Sequence, residues 1–391
     1  MSSALMVVAA TLVAQAAVSM GTLTLPAIAP RYAAVIGVDP STIGYQISIV
    51  YAGAMFSAAF GGNAVRALGA CRTTQVALSA VAAGMLLVMV PSLAVLFPAS
   101  VLIGLGYGLA NPAASHLLVR YTPAQGRNLI FSIKQTGVPL GGILAALAGP
   151  AMTGAFGWRS ALLLVAMLGL AMTVLLQVPR KQWDDDRAPT TQFRGKLFGG
   201  VALIWRAPPL RYLSLAALCF GGVQLCVMAF TVTLLVAEAH YSLVQAGFML
   251  SLVQLSGAFG RIFWGWAADR LRSSMGVLLV LGGIMTLATL ALMKLDASWS
   301  AAWTTVVLLA LGATAIGWNG VFLAEVAHVA PRDQASAATG GALFFTFGGV
   351  LIGPSIFAGS YAFLHSYALT FGIAALFSIC GMACLLRARS H

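Results

Sequence analysis

The sequence predicts an all-α integral membrane protein: twelve transmembrane helices arranged as two pseudo-symmetric six-helix bundles. Three observations carry that prediction. Of 391 residues, 60% are apolar and 8% are charged. The apolar residues gather into twelve runs, each about 20 residues long, enough for a helix to cross a bilayer. A set of Gly, Pro, Asn and Arg positions recurs in the second half at a near-constant offset. A soluble domain carries about 25% charged residues, so a soluble globular chain is excluded. Disorder is excluded as well, because disordered segments lack apolar residues.

The first six runs fall near residues 5–28, 42–63, 74–95, 97–119, 129–152 and 160–179. The second six fall near 210–236, 244–266, 275–294, 302–327, 337–360 and 368–386. The organisation that follows is a bundle over 1–179, a linker over 180–209 and a second bundle over 210–391. The linker carries Asp184, Asp185 and Asp186, whose expected role is that of solvated charge. The other loops are short and leave no room for an extramembrane domain. No Lys or Arg precedes Arg31, so the first run lacks the basic start of a cleaved signal and reads as span 1. Cys71, Cys219, Cys226, Cys380 and Cys384 follow no ligand or disulfide spacing and read as small apolar residues. No metal and no cofactor is expected.

The formal charge is +12, from 21 basic and 9 acidic residues. In a soluble protein that excess suggests nucleic acid. Here most of it records topology, because basic residues collect in cytoplasmic loops. With the N-terminus inside, 16 of the 21 fall on the cytoplasmic side, among them Arg66, Arg72, Arg120, Arg127, Arg194, Lys196, Arg270 and Arg272. Arg31, Arg159 and Lys294 fall outside. Both termini are thus expected in the cytoplasm. His116 and His328, near inner ends, are expected to be solvated.

The repeat is specific. Gly53-Ala54, Gly61, Ala64 and Arg66 in span 2 recur 204 residues later as Gly257-Ala258, Gly265, Ala268 and Arg270 in span 8. Gly149-Pro150 and Gly353-Pro354 keep that offset, and Asn111 in span 4 is answered by Asn319 in span 10, 208 residues on. Two such halves suit alternating access around a mid-membrane site.

Gly265-Trp266-Ala267-Ala268-Asp269-Arg270-Leu271-Arg272 resembles the cytoplasmic loop motif of the major facilitator superfamily, Gly-x-x-x-Asp-Arg followed by basic residues. The resemblance extends over the whole chain, with Gly61-Gly62-Asn63-Ala64-Val65-Arg66 as a degenerate first copy and Phe156-Gly157-Trp158-Arg159 before span 6. Val65 stands where the family has Asp, so a weaker gate contact is expected in that half. The resemblance implies a monomeric secondary transporter of the cytoplasmic membrane. It also implies gating roles for Gly265, Asp269, Arg270, Arg272 and Arg66. Glu325, near the inner end of span 10, is the expected partner of Arg270 or Arg272.

Two cations fall inside spans, Lys134 and Arg261. A charge at the bilayer centre costs about 3 kcal/mol on insertion scales, so each needs a cavity or a partner. The nine acids lie in loops or at span ends, apart from Glu325 close to its own end. The expectation is that an anionic substrate supplies the missing charge, on the planar fork of Arg261 and the point charge of Lys134. Arg261-Ile262-Phe263-Trp264-Gly265 resembles the Arg-x-x-x-Gly stretch of the monocarboxylate and oxalate/formate-type branches, where the arginine binds a carboxylate. Span 11 has no lysine of the kind found in the second of these, and Lys134 on span 5 takes its place. The plainer alternatives are snorkelling for Lys134 and, for Arg261, a contact to Asp269 or to a backbone carbonyl.

Further candidates for the substrate site are Gln135 beside Lys134, Asn111 with Tyr107 one turn earlier, Asn319 with Trp318, Gln254 two turns before Arg261, and Gln15 in span 1. Each amide has the alternative of simply bonding a neighbouring helix. The function expected is transport of a small organic anion by alternating access, as proton symport or anion exchange, with a proton-coupled exporter of drugs or apolar solutes as the alternative. The spans hold no metal-ligand cluster, His–carboxylate pair or nucleophile motif, so no enzymatic activity is expected.

Overall fold

The computed structural model describes residues 3–38, 40–188 and 198–390; Asp39, Arg194 and Lys196 lie outside the described residues, as does the side chain of Tyr45. Among the described residues twelve helices are long and apolar enough to cross a membrane. Spans 1 to 6 are Ala4–Ala27, Gln46–Leu68, Ala70–Val88, Leu93–Tyr121, Arg127–Phe156 and Trp158–Leu175. Spans 7 to 12 are Pro208–Glu238, Gln245–Leu271, Ser274–Leu292, Ala301–Val329, Ala335–Leu364 and Tyr367–Arg389. Short helices at Ala29–Ile36, Arg180–Trp183 and Gly199–Arg206 lie between them.

The chain folds as two compact units whose boundaries do not follow the sequence halves. The first holds residues 1–124, 133–204 and 330–344; the second holds 125–132, 205–329 and 345–391. Each unit therefore takes in the first few residues of one span, span 11 for the first unit and span 5 for the second.

Helices in a membrane gain little from the hydrophobic effect against lipid, so small residues that let backbones touch carry the packing. In the first unit Gly104 and Gly108 lie on span 2: a Cβ at either would stand 2.2 Å from the carbonyl oxygen of Val50 or Ala54. In the second unit Gly349 of span 11 meets span 7, where a Cβ would stand 1.8 Å from the Leu218 carbonyl oxygen. Any side chain at these positions pushes two helices apart.

The acidic linker departs from expectation. Asp184 is buried, and its carboxylate accepts from the backbone N–H of Cys71 at 2.7 Å and of Arg72 at 3.0 Å, capping the start of span 3. The chain can approach so closely because Gly69 precedes span 3 at φ +94°, and a Cβ there would stand 2.3 Å from the Asp184 carboxyl. Burial pushes that carboxyl above the usual carboxylate range, against the pull of its two N–H donors. Asp185 and Asp186 pair with Arg120 at 2.5 and 3.2 Å, and Asp186 shares a hydrogen bond with the His116 ring at 2.7 Å. Trp183 is buried beside Tyr121, whose hydroxyl donates to the Gln182 carbonyl at 2.8 Å. The triplet is a clasp on spans 3 and 4; these acids are spent on the orphan N–H groups of span 3 and on side chains at the end of span 4 that one-dimensional reading leaves apart. Asp184→Ala is expected to cost about 1–2 kcal/mol of stability, read by thermal unfolding in detergent. Equal stability of the variant and the parent would remove the capping role.

Candidate functional site

Span 5 is interrupted next to its buried cation. One helix runs Arg127–Gln135 and the next Gly137–Phe156. Pro139 has no N–H for the carbonyl of Gln135 four residues back, and its ring crowds that carbonyl. The interruption leaves Lys134 and Gln135 at the end of a helix in the membrane interior. Gly137 and Gly141 bring span 1 against this point, with Cβ positions 2.7 and 2.3 Å from the carbonyls of Leu12 and Ala16, and so deliver Gln15.

Lys134 is 2% exposed. Its ammonium donates to Gln15 Oε1 at 2.7 Å, to Gln135 Oε1 at 3.2 Å and to Asn111 Oδ1. An ammonium has three N–H donors, and three amide oxygens from spans 1, 4 and 5 receive them. Lys134 is therefore held inward by a cage of neutral acceptors and does not snorkel. Tyr107 is buried one turn from Asn111, edge-on to Tyr51 at 6.0 Å between centroids.

In the second unit Arg261, also 2% exposed, lies against a second interruption. Span 10 runs as Ala301–Ala315 and then Asn319–Val329. Three carbonyls near the break are met by side-chain N–H groups: Ala313 by Trp264 Nε1 at 3.0 Å, Ala315 by Trp318 Nε1 at 3.1 Å and Ile316 by Arg261 Nε at 3.0 Å. The C-terminal end of a helix segment carries partial negative charge and favours a cation there. Asn319 donates from Nδ2 to Gln224 Oε1 of span 7 at 3.0 Å and, more distantly, to the Ile316 carbonyl at 3.5 Å. Trp318 is fully buried, edge-on to Phe220 at 5.7 Å, and so packs the interior of the unit instead of walling an open space. Gln254 is exposed. The structure thus gathers Lys134, Gln135, Gln15 and Asn111 in one unit and Arg261 and Asn319 in the other.

Asp269 acts as a helix cap. Its Oδ1 accepts from the Asn128 backbone N–H at 3.2 Å and side-chain Nδ2 at 2.9 Å, and its Oδ2 from the Leu129 N–H at 2.8 Å. A carboxylate is favoured where a helix begins with orphan donors. Ser132, one turn on, is wedged between two glycines: a Cβ on Gly265 or Gly320 would stand 2.4 or 2.2 Å from its Oγ. The expected ion pairs are corrected here. Among the described residues Asp269 and Glu325 join no ion pair, and Arg270 and Arg272 are exposed. The acid meets backbone N–H groups, and Arg272 ends its helix in the left-handed region at φ 51°. In the other copy Val65 is buried, while Arg66 is exposed and accepts at its carbonyl from Ala188 N–H at 2.9 Å.

Gln224 is the residue that reading the sequence missed, and the repeat contained the signal. Gln15, Val18, Thr22, Thr24 and Leu25 recur 209 residues later as Gln224, Val227, Thr231, Thr233 and Leu234. Each half therefore carries a Gln on its first span and an Asn on its fourth. The cations break the repeat: the position matching Lys134 is Ala338, and that matching Arg261 is Ser57.

A model of the Major Facilitator Superfamily matches residues 8–354. The gallate transporter of Pseudomonas putida is 26% identical over 250 residues, 56% of this chain and 53% of that protein. The 4-hydroxybenzoate transporter of Pseudomonas aeruginosa is 26% identical over 225 residues, 47% of this chain and 48% of that one. The chain thus spans about half the length of these two curated relatives. The benzoate transport protein of Acinetobacter baylyi is 22% identical over 352 residues, 81% of this chain and 75% of its own. Among solved structures, the transporter FucP in the outward conformation superposes with a TM-score of 0.78 at 16% identity, covering 99% of both chains. The human organic anion transporter MFSD10 superposes at 0.76 and 16% identity, covering 98% of both. These two likenesses show the fold.

Proposed function

The chain belongs to the Major Facilitator Superfamily, and on that premise we propose that it is a secondary active transporter of a small organic anion, a carboxylate. It works by alternating access in the cytoplasmic membrane as a monomer, with both termini inside, as a proton symporter or an anion exchanger. The observation that carries the reading is the state of the two intramembrane cations. Each is almost wholly buried, and the ammonium of Lys134 and the guanidinium of Arg261 are bound to neutral amide and carbonyl oxygens. A carboxylate brings a full negative charge where these oxygens offer only a dipole, so an arriving anion gains by exchanging with them. The relatives that transport gallate, 4-hydroxybenzoate and benzoate support an aromatic carboxylate as first probe. Asp269 and the Ser132 wedge serve as the cytoplasmic clamp that opens during the cycle.

The test is uptake of radiolabelled benzoate and 4-hydroxybenzoate into proteoliposomes holding the purified protein, with an inward proton gradient or with internal carboxylate. Accumulation under either condition is expected. Liposomes that take up no more than protein-free controls under both conditions, with those two acids and with short-chain carboxylates, would overturn the reading.

A further inference from the structure

The amide pair of the second unit is half spent. Asn319 Nδ2 donates to Gln224 Oε1 at 3.0 Å, which uses a donor of one amide and the acceptor of the other. The NH2 of Gln224 and the Oδ1 of Asn319 have no hydrogen-bond partner among the described residues, and both side chains are only half-buried. What remains is an edge with one donor and one acceptor. Exchanging the oxygen and nitrogen of both amides leaves the same two-sided edge, so its chemistry does not depend on how either amide is turned.

That edge selects among ligand groups. A carboxylate only accepts and meets an unsatisfied carbonyl oxygen there. A hydrocarbon satisfies neither atom. A hydroxyl donates once and accepts, and so can answer Asn319 Oδ1 and the Gln224 NH2 together. The edge is also close to a cation, because Arg261 Nε and Asn319 Nδ2 reach the same carbonyl, that of Ile316, at 3.0 and 3.5 Å. Cation and amide pair thus lie within the length of one small molecule. In the first half Gln15 and Asn111 turn their oxygens to Lys134, whereas the sequence position that matches Lys134 in the second half is Ala338, which carries no cation.

We propose that Gln224 and Asn319 form a hydroxyl-reading subsite next to Arg261, which makes the protein selective for hydroxylated carboxylates over their unhydroxylated parents. The proposal rests on the reading of Arg261 as the carboxylate's partner. Gln224 is then a specificity residue, and its contact with Asn319 presents the reading edge as well as tying span 7 to span 10.

Equilibrium binding of benzoate, 3-hydroxybenzoate and 4-hydroxybenzoate to the purified protein in nanodiscs tests this. The wild type is expected to bind at least one hydroxylated acid about tenfold or more tightly than benzoate, since benzoate leaves the edge unanswered. Gln224→Met is expected to cut the ratio of hydroxylated-acid to benzoate affinity by about tenfold, through weaker binding of the hydroxylated acids. Wild-type affinities equal for all three acids overturn the subsite, and that comparison needs no variant to fold. A Gln224→Met protein weakened equally toward all three also overturns it, leaving a structural tie between helices. Binding of none of the acids removes the carboxylate reading, and the subsite with it, and so differs visibly from equal binding.

Discussion

Arg261→Gln is expected to stop carboxylate uptake while the protein still folds and inserts. The substitution keeps a side-chain N–H for the Ile316 carbonyl and removes the charge. The fall in uptake should reach about a hundredfold, in line with the 2–5 kcal/mol lost when one member of a buried charge pair is truncated. Arg261→Lys separates two roles of the residue. Lysine restores the charge but not the planar fork, and it loses the in-plane Nε contact to Ile316 seen at 3.0 Å. Its uptake should fall between those of the parent and the Gln variant. Proteoliposome uptake, with unfolding temperature in detergent as the control, reads both. Unimpaired uptake by a well-folded Arg261→Gln protein would remove the anion role and leave Arg261 as a cap on span 10.

The second large effect concerns Lys134, where the informative change adds charge. Asn111→Asp places a carboxylate on the ammonium that Asn111 already touches. Two unit charges about 4 Å apart attract by about 4 kcal/mol at the effective dielectric of protein sites. That attraction offsets the cost of burying the new carboxylate, so the variant should hold its fold about as well as the parent. It should also bind benzoate at least about tenfold more weakly, because the positive charge offered to the substrate is now answered from within. Lys134→Met should bind as weakly through the opposite route, by deleting the cation. The pair is diagnostic, since a lysine that only organised spans 1, 4 and 5 would leave affinity intact in Asn111→Asp. Binding unchanged in that variant would sink the assignment.

Much of this was legible in one dimension because membrane helices announce themselves through length and composition. The twelve spans, the repeat and the two cations inside it all follow from the sequence. The partners of those cations do not. The interruption of span 5 is signalled by Pro139, but that of span 10 has no proline and depends on side-chain N–H groups of Arg261, Trp264 and Trp318 meeting its carbonyls. Asp184 lies 113 residues from the N–H it caps, and acidic runs between helices ordinarily face water. Asp269 stands in a recognisable motif, yet its partners are two backbone N–H groups and the Asn128 side-chain amide, 140 and 141 residues away in the chain. Gln224 is joined to Gln15 by an offset of 209, which differs from the 204 shared by the Gly, Pro and Arg positions, so the pair does not stand out in that register.

The amide pairs and the cations bear differently on how such a protein can change its cargo. Both halves keep a Gln and an Asn at matching places, so the polar scaffold is common property. Charge is private to each half: lysine on span 5 of one, arginine on span 8 of the other, with Ala338 and Ser57 at the vacated counterparts. A substitution near one cation has no mirror image near the other. Selectivity can therefore drift in one half while its twin preserves the path, so a carrier of this kind can acquire a new substrate without first losing the old one.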